Sequence, residues 1–310
     1  MSEEAKAVIE TRELTKRYGF RVLAVDDLDL EVRAGEIYGF LGSNGAGKTT
    51  TMRMLMGHTT PSSGNATVLG ERPGSEAALS RVGALIETPA FYPYLSGRDN
   101  LKVMARYSKG ASKTRIEEVL EQVGLSSRGR DKFKGYSLGM KQRLGVAAAM
   151  LEDPELLILD EPTNGLDPEG AAEMRRFISS LRGEKTVLFS SHTLSEVEQI
   201  CDRVGIIRHG KLVANGTVKE LIGEESLFLT VAPLEKAAKI VRGLESVEGV
   251  MAEDQQLRVS TDPARAPEIV NELVAAGIRI SEVRRSSRTL EDVFLELVQE
   301  EKREDPPDGE

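Results

Sequence analysis

The spacing of apolar positions divides the chain into two unequal parts. From Ala7 to Leu14, Phe20 to Leu30 and Glu36 to Leu41, short apolar alternations broken by Tyr18-Gly19 and Ala34-Gly35 predict strands. Thr49 to Met56 has helical spacing and ends at Gly57, a C-cap residue. Asn65 to Leu69 predicts a strand, Ala77 to Val82 a short helix and Gly83 to Ile86 a strand. Between Gly97 and Gly135 the pattern turns helical and polar, with helices predicted at Asp99 to Arg106 and Thr114 to Val123. A further helix follows Ser137, reaches about Glu152 and is stopped by Pro154.

Leu156-Leu157-Ile158-Leu159 is apolar at every position, as a strand must be when both of its faces are covered in a parallel sheet. A helix over Ala171 to Leu181 and a strand over Thr186 to Ser190 follow. The next helix, Thr193 to Cys201, is opened by the capping box Thr193-x-x-Glu196. Val204 to Ile207 and Lys211 to Ala214 form a hairpin around His209-Gly210. Around Gly223-Glu224-Glu225 the character changes. Beyond it come Leu227 to Val231, Leu234 to Leu244, Val247 to Met251, Leu257 to Thr261, Ala266 to Ala276 and Ile278 to Val283, a βαββαβ order that fits the ferredoxin-like plan. A last helix, Thr289 to about Gln299, opens with Thr289-x-x-Asp292, and the acidic, proline-containing EKREDPPDGE reads as a disordered tail. The expected domains are 1–223, with a helical subdomain over about 97–152, and 226–300, with the tail at 301–310.

Length and charge narrow the function. A chain of 310 residues exceeds the usual single-domain size, which suits one large and one small domain. A net charge of −9 argues against nucleic acid as a partner, because phosphate backbones recruit clustered Lys and Arg. One cysteine, Cys201, permits no intrachain disulfide and suits a reducing compartment. The start MSEEAKAVIETRE is acidic where a secretory signal is basic, and no apolar run approaches the ~18 residues needed to span a bilayer. A soluble cytosolic chain, brought to a membrane only by a partner, is the expectation.

The chemistry begins at GSNGAGKTT, Gly42 to Thr50, which fits G-x-x-x-x-G-K-S/T directly after the apolar Ile37 to Leu41. Strand, glycine loop and helix in that order form a phosphate cradle. Gly42, Ser43, Asn44, Gly45, Ala46 and Gly47 turn backbone N–H groups inward, and the next helix adds its positive end. Lys48 is expected to reach the β- and γ-phosphates of ATP, with Thr49 on Mg²⁺ and Thr50 beside it. Asp160-Glu161 ends the apolar run LLIL. Asp160 stands where a Walker-B acid holds Mg²⁺, and Glu161 where a base addresses water. His58 and His209 sit in predicted turns without metal-spaced partners.

Further elements carry a family resemblance. YSLGMKQR at Tyr136 to Arg143 resembles the LSGGQ-x-x-R signature of ATP-binding cassette (ABC) proteins; Ser137 and Gly139 match it, whereas Leu138 and Met140 depart from its commonest form. Asn164 to Asp167, NGLD, resembles the D-loop, and Phe189 to His192, FSSH, the switch-histidine strand. Tyr18 stands where the family has an adenine-stacking aromatic. The resemblance implies an α/β P-loop ATPase with β- and helical subdomains, working as a head-to-tail pair of copies. Each ATP would be held by one subunit's P-loop and by Ser137 and Gly139 of the other. It further implies that His192 contacts the γ-phosphate and that Asp167 helps to couple the two sites.

A chain without a membrane span needs a separate permease in order to transport anything. Glu87 to Leu95, ETPAFYPYL, clusters Phe91, Tyr92 and Tyr94; it reads either as core or, by resemblance, as the groove that receives a permease. The competing class, a soluble ABC ATPase, usually has two cassettes or a long heptad insertion, and neither is present in this sequence. The appended C-terminal domain ending RTLEDVFLELV resembles the drug- and antibiotic-peptide-resistance branch, which favours export. Glu87 replaces the usual glutamine of the family near Mg²⁺, as in cassettes of lantibiotic and bacitracin self-protection. By that resemblance Glu87 joins Thr49 and Asp160 as a metal-side residue.

Overall fold

The computed structural model describes residues 6–87, 90–107, 111–223, 226–244, 246–253, 256–286 and 289–304. It separates into two compact units, Met1–Val218 and Lys219–Glu310. In the first, β1 (Ala7–Tyr18), β2 (Val22–Arg33) and β4 (Ser63–Val68) form an antiparallel sheet in the order β2-β1-β4, while β3 (Ile37–Leu41) starts a second sheet. β1 runs four residues past the end that its apolar alternation predicts, and β2 starts and stops later than predicted, at Val22 and Arg33. Register shifts between them break the period of two, and Glu13 and Asp27 have φ of 50° and 46°.

Helix α1 (Lys48–Leu55) follows β3; α2 (Glu76–Leu79) is capped by Ser75 and leads into β5 (Val82–Leu85). The short helix therefore starts and stops earlier than its spacing predicts, and β5 takes Val82. α3 (Gly97–Tyr107), α4 (Lys113–Gln122) and α5 (Leu138–Ala149) make the helical part, with Leu101, Ile116, Val119, Leu120 and Leu144 buried. After β6 (Leu156–Leu159) come α6 (Pro168–Ser180), β7 (Thr186–Ser191), α7 (Leu194–Ile200), and the hairpin of β8 (Arg203–Arg208) and β9 (Lys211–Thr217).

The second sheet has the order β5-β6-β7-β3-β8-β9, parallel except for β9. β3, β6 and β7 are buried at every position, which is why their sequences show no polar alternation. One core joins Ile9, Leu14 and Leu28 of the antiparallel sheet with Met52 and Leu55 of α1 and Ile158 and Leu188 of the parallel sheet. α1, and with it the loop that precedes it, is thus packed on apolar side chains from both sheets.

α8 (Val218–Ile222) begins on the last residue of the first unit, and the second unit continues with β10 (Ser226–Ala232), α9 (Leu234–Arg242), β11 (Gly249–Glu253), β12 (Gln256–Ser260), α10 (Ala266–Ala275), β13 (Arg279–Ser286) and α11 (Leu290–Glu304). Its strands are antiparallel in the order β11-β12-β10-β13. Leu227, Leu229 and Val231 alternate onto one face with Leu257 and Val259, where Ala237, Val241, Ile269 and Leu273 cover them. α11 continues beyond Gln299 to Glu304, through residues that are good helix formers and that the sequence pattern assigned to the tail. The rest of that stretch, and Glu224-Glu225 at the expected boundary, lie outside the described residues.

Candidate functional site

β6, β7 and β3 are parallel neighbours, so their carboxyl ends open on one edge of the sheet. Loops leaving such ends are where an open parallel sheet presents its binding groups. Each strand delivers one motif: Gly42 to Thr50 after β3, Asp160-Glu161 after β6, and Ser190 to His192 at the end of β7.

The glycine loop is tightly enclosed. Gly47, at φ 116°, stands at the N-cap of α1, and a Cβ there would lie 2.5 Å from the Ala24 carbonyl oxygen; one on Gly42 would run into the Ile207 carbonyl oxygen. Between them Ser43, Asn44 and Gly45 are exposed and form the crown of the loop. Lys48 is buried, and its Nζ donates to the carbonyl oxygens of Gly42 at 2.6 Å and Ser43 at 3.2 Å.

Asp160 is held from both sides. The Thr49 hydroxyl donates to Oδ2 at 2.7 Å and the Ser190 hydroxyl to Oδ1 at 2.6 Å, while Ser190 Oγ accepts the Glu161 N–H at 2.9 Å. Ser190 is fully buried, and the sequence signals it only as a hydroxyl near a strand end, two residues before the histidine. Glu161 has φ 49°, in the left-handed region that costs a residue with a β-carbon and recurs at functional sites. Its carboxylate lies between Lys48 Nζ, 3.1 Å from Oε1, and His192 Nδ1, 2.8 Å from Oε2. Oε1 is buried without a hydrogen bond. The structure therefore brings together Lys48, Thr49, Asp160, Glu161 and His192.

Other expected residues stand apart from this group. Ser137 caps α5, accepting the Met140 N–H at 3.3 Å, and Gly139 lies beside Leu166. Leu138, one of the two departures from the signature, packs on the D-loop, where a Cβ on Gly165 would be 2.6 Å from its Cδ2. Among the described residues neither Ser137 nor Gly139 hydrogen-bonds the P-loop. Asp167 caps α6 by accepting the Gly170 N–H at 3.1 Å, with Pro168 in the first turn. Tyr18 is half exposed at the end of β1, with Lys16 Nζ 5.1 Å from its ring centre.

Glu87, at φ 67°, is exposed and forms an ion pair with Arg53, one turn beyond Thr49 on α1. One expectation needs correction: the capping box at α7 is not made, because Thr193 has no side-chain cap bond and Glu196 turns inward. In the aromatic segment, partly buried Phe91 meets Phe133 edge-on at 5.2 Å, whereas Tyr92 and Tyr94 are exposed. Thr88 and Pro89 lie outside the described residues.

Residues 25–164 match the family described as ABC transporter. Over 297 residues the chain is 42% identical to the bacitracin transport ATP-binding protein BcrA of Enterococcus faecalis, a match covering 94% of this chain and 96% of that one. The chain belongs to the ATP-binding subunits of ABC transporters. To the lantibiotic transport ATP-binding protein SrtF of Streptococcus pyogenes it is 41% identical over 221 residues, 71% of this chain and 94% of that one. A solved structure of an ATP-binding subunit of an ABC transporter matches with TM-score 0.62 and 29% identity, over 69% of this chain and 91% of that one. This ABC subunit is an ATPase, and among its described residues no helix is long and apolar enough to cross a membrane.

Proposed function

We propose that this ATPase powers a separate membrane permease that exports an antibiotic or peptide, docked at the inner face of the membrane and working as a two-fold pair of copies. The observation that carries the reading is the convergence of Lys48, Asp160, Glu161 and His192 on one sheet edge, in a chain similar to a bacitracin transport subunit across both of its units. Exposed Tyr92 and Tyr94 supply an aromatic surface suited to a permease contact.

The donors fit Mg²⁺: a hydroxyl and a carboxylate, hard oxygen ligands, meet at Thr49 and Asp160. Mg²⁺ held there would supply neutralising charge to the phosphates. Glu87 would join these ligands only by leaving Arg53. Lys48 and N–H groups of the loop would hold the phosphates, and Tyr18 would stack on the base. Glu161 would take the proton of the attacking water, with His192 orienting that carboxylate and sensing the γ-phosphate. Ser137 and Gly139, at a helix N-terminus away from the chain's own P-loop, suit the ATP of a partner copy, with Asp167 coupling the two sites.

The second unit is read as a ferredoxin-like accessory domain on the strength of its βαββαβ order, with homodimer contact or regulation as its role. A soluble ATPase unconnected to transport has no observation in its favour. The test is co-expression with the permease in a bacitracin-sensitive bacterium. Wild type is expected to raise the inhibitory concentration of a bacitracin- or lantibiotic-type peptide, and Lys48→Ala to abolish that protection. Failure of wild type to protect against either peptide class contradicts the export reading.

A further inference from the structure

We propose that Glu196 is a positioning residue for ATP hydrolysis, a buried carboxylate that ties the switch-histidine strand to the D-loop and holds Glu161 and His192 in working register. The proposal rests on the roles given above to Glu161, His192 and Asp167. Glu196 lies in the first turn of α7 and is 8% exposed. A carboxylate is rarely buried to that degree unless its oxygens are paired.

Its partners come from three different elements. Oε2 accepts the Thr163 hydroxyl at 2.7 Å and the Ser191 hydroxyl at 3.2 Å, and Arg175 Nη1 lies 3.1 Å from Oε1. Thr163 follows Glu161-Pro162 and opens the D-loop, where its carbonyl oxygen accepts the Leu166 N–H at 3.2 Å. Arg175 is on α6, the helix capped by Asp167. Ser191 stands between Ser190, which holds Asp160 and the Glu161 N–H, and His192, which meets the Glu161 carboxylate. The Ser191 carbonyl oxygen also accepts the Gly42 N–H at 3.3 Å, at the start of the glycine loop. One side chain thus gathers the loop after β6, the D-loop helix and the end of β7.

A purely local role does not account for this geometry. At a helix start the local use of such a glutamate is to complete a capping box, a bond here replaced by two long-range ones, to Thr163 and Arg175, and one to nearby Ser191. Nor does burying an ion pair by itself favour stability, since an apolar replacement of similar volume is often as stable. What the arrangement does supply is registry. A shift at His192, just past β7, is transmitted through Ser191 and Glu196 to Thr163 and Arg175, and so to the loop that ends at Asp167.

The test is a double-mutant cycle on the full chain with Glu196→Gln, His192→Ala and the double variant, reading kcat, KM and ATP affinity. We expect Glu196→Gln to lower kcat about 10-fold or more with ATP affinity within about 3-fold of wild type. In the His192→Ala background the same change is expected to cost under about 2-fold, because the residue through which it acts is gone. Turnover near wild type in Glu196→Gln, additive losses, or affinity falling as far as kcat would each overturn the proposal. Should Glu196→Gln not fold, Thr163→Val and Arg175→Met, each removing one donor, enter the same cycle with the same expectation. The ATPase reading itself is checked separately by wild-type turnover, so a functioning wild type with an indifferent Glu196 sinks only this inference.

Discussion

Ser190→Ala removes the hydroxyl that joins the two acidic residues of the site. In the structure this oxygen donates to Asp160 Oδ1 at 2.6 Å and accepts the Glu161 N–H at 2.9 Å, in a position with no solvent exposure. Alanine leaves a buried carboxylate oxygen and a backbone N–H without that partner. A lost hydrogen bond to a charged group and an unsatisfied N–H together predict a destabilisation of about 3 kcal/mol. For a unit of this size that corresponds to a fall in Tm of roughly 6–12 °C. Asp160 keeps the Thr49 hydroxyl at 2.7 Å, so ATP binding is expected to survive. Turnover is expected to fall about 10-fold or more, because the backbone of Glu161 loses its anchor. Thermal and urea unfolding without nucleotide, together with steady-state phosphate release, measure both effects. A Tm within about 1 °C of wild type with unchanged turnover would refute the bridging role of Ser190.

At the Arg53 pair, Glu87→Gln is expected to leave Tm and ATP turnover close to wild type, since exposed ion pairs contribute little, while lowering permease-dependent peptide resistance. Glu87→Ala is expected to lower resistance further; indistinguishable resistance in all three chains marks Glu87 as a tolerant surface position. For the pairing of copies, ATP is expected to convert Glu161→Gln from the 33.9 kDa monomer to a dimer on size-exclusion chromatography with light scattering. Adding Ser137→Arg to that variant is expected to abolish the conversion, and a dimer that persists argues against Ser137 serving a partner's ATP.

The phosphate site was legible in the sequence because each of its motifs is local: the glycine loop follows an apolar strand, and Asp160-Glu161 ends another. What spacing does not reveal is that β7 lies between β6 and β3, an adjacency set by crossovers through helices. That adjacency places Ser190 on Asp160, so the serine could not be assigned from its neighbours in the chain. The two helix starts Thr289-x-x-Asp292 and Thr193-x-x-Glu196 show the same limit. Thr289 and Asp292 form theirs, with the Thr289 N–H donating to Asp292 Oδ2 at 2.8 Å and the Asp292 N–H donating to Thr289 Oγ1 at 3.3 Å. Thr193 and Glu196 do not, because Thr163 and Arg175, remote in sequence, capture the carboxylate. Alternation in the second unit was legible because Leu227, Leu229 and Val231 face one core in an antiparallel sheet. The pairing of Glu87 with Arg53 is not legible in the sequence, because Arg53 lies on a helix that a loop motif does not mention.

The central claim, that Glu161 is the base in a site built by three neighbouring strand ends, is tested most directly by phosphate release at saturating ATP and Mg²⁺. Wild type and Glu161→Gln are compared, with bound ATP per chain determined on the same samples. Removing the carboxylate leaves Lys48, Thr49, Asp160 and the loop N–H groups in place. The expected result is turnover in wild type, a loss of at least about 100-fold in Glu161→Gln, and ATP occupancy unchanged. Turnover in Glu161→Gln close to that of wild type, with ATP equally bound, would contradict the account.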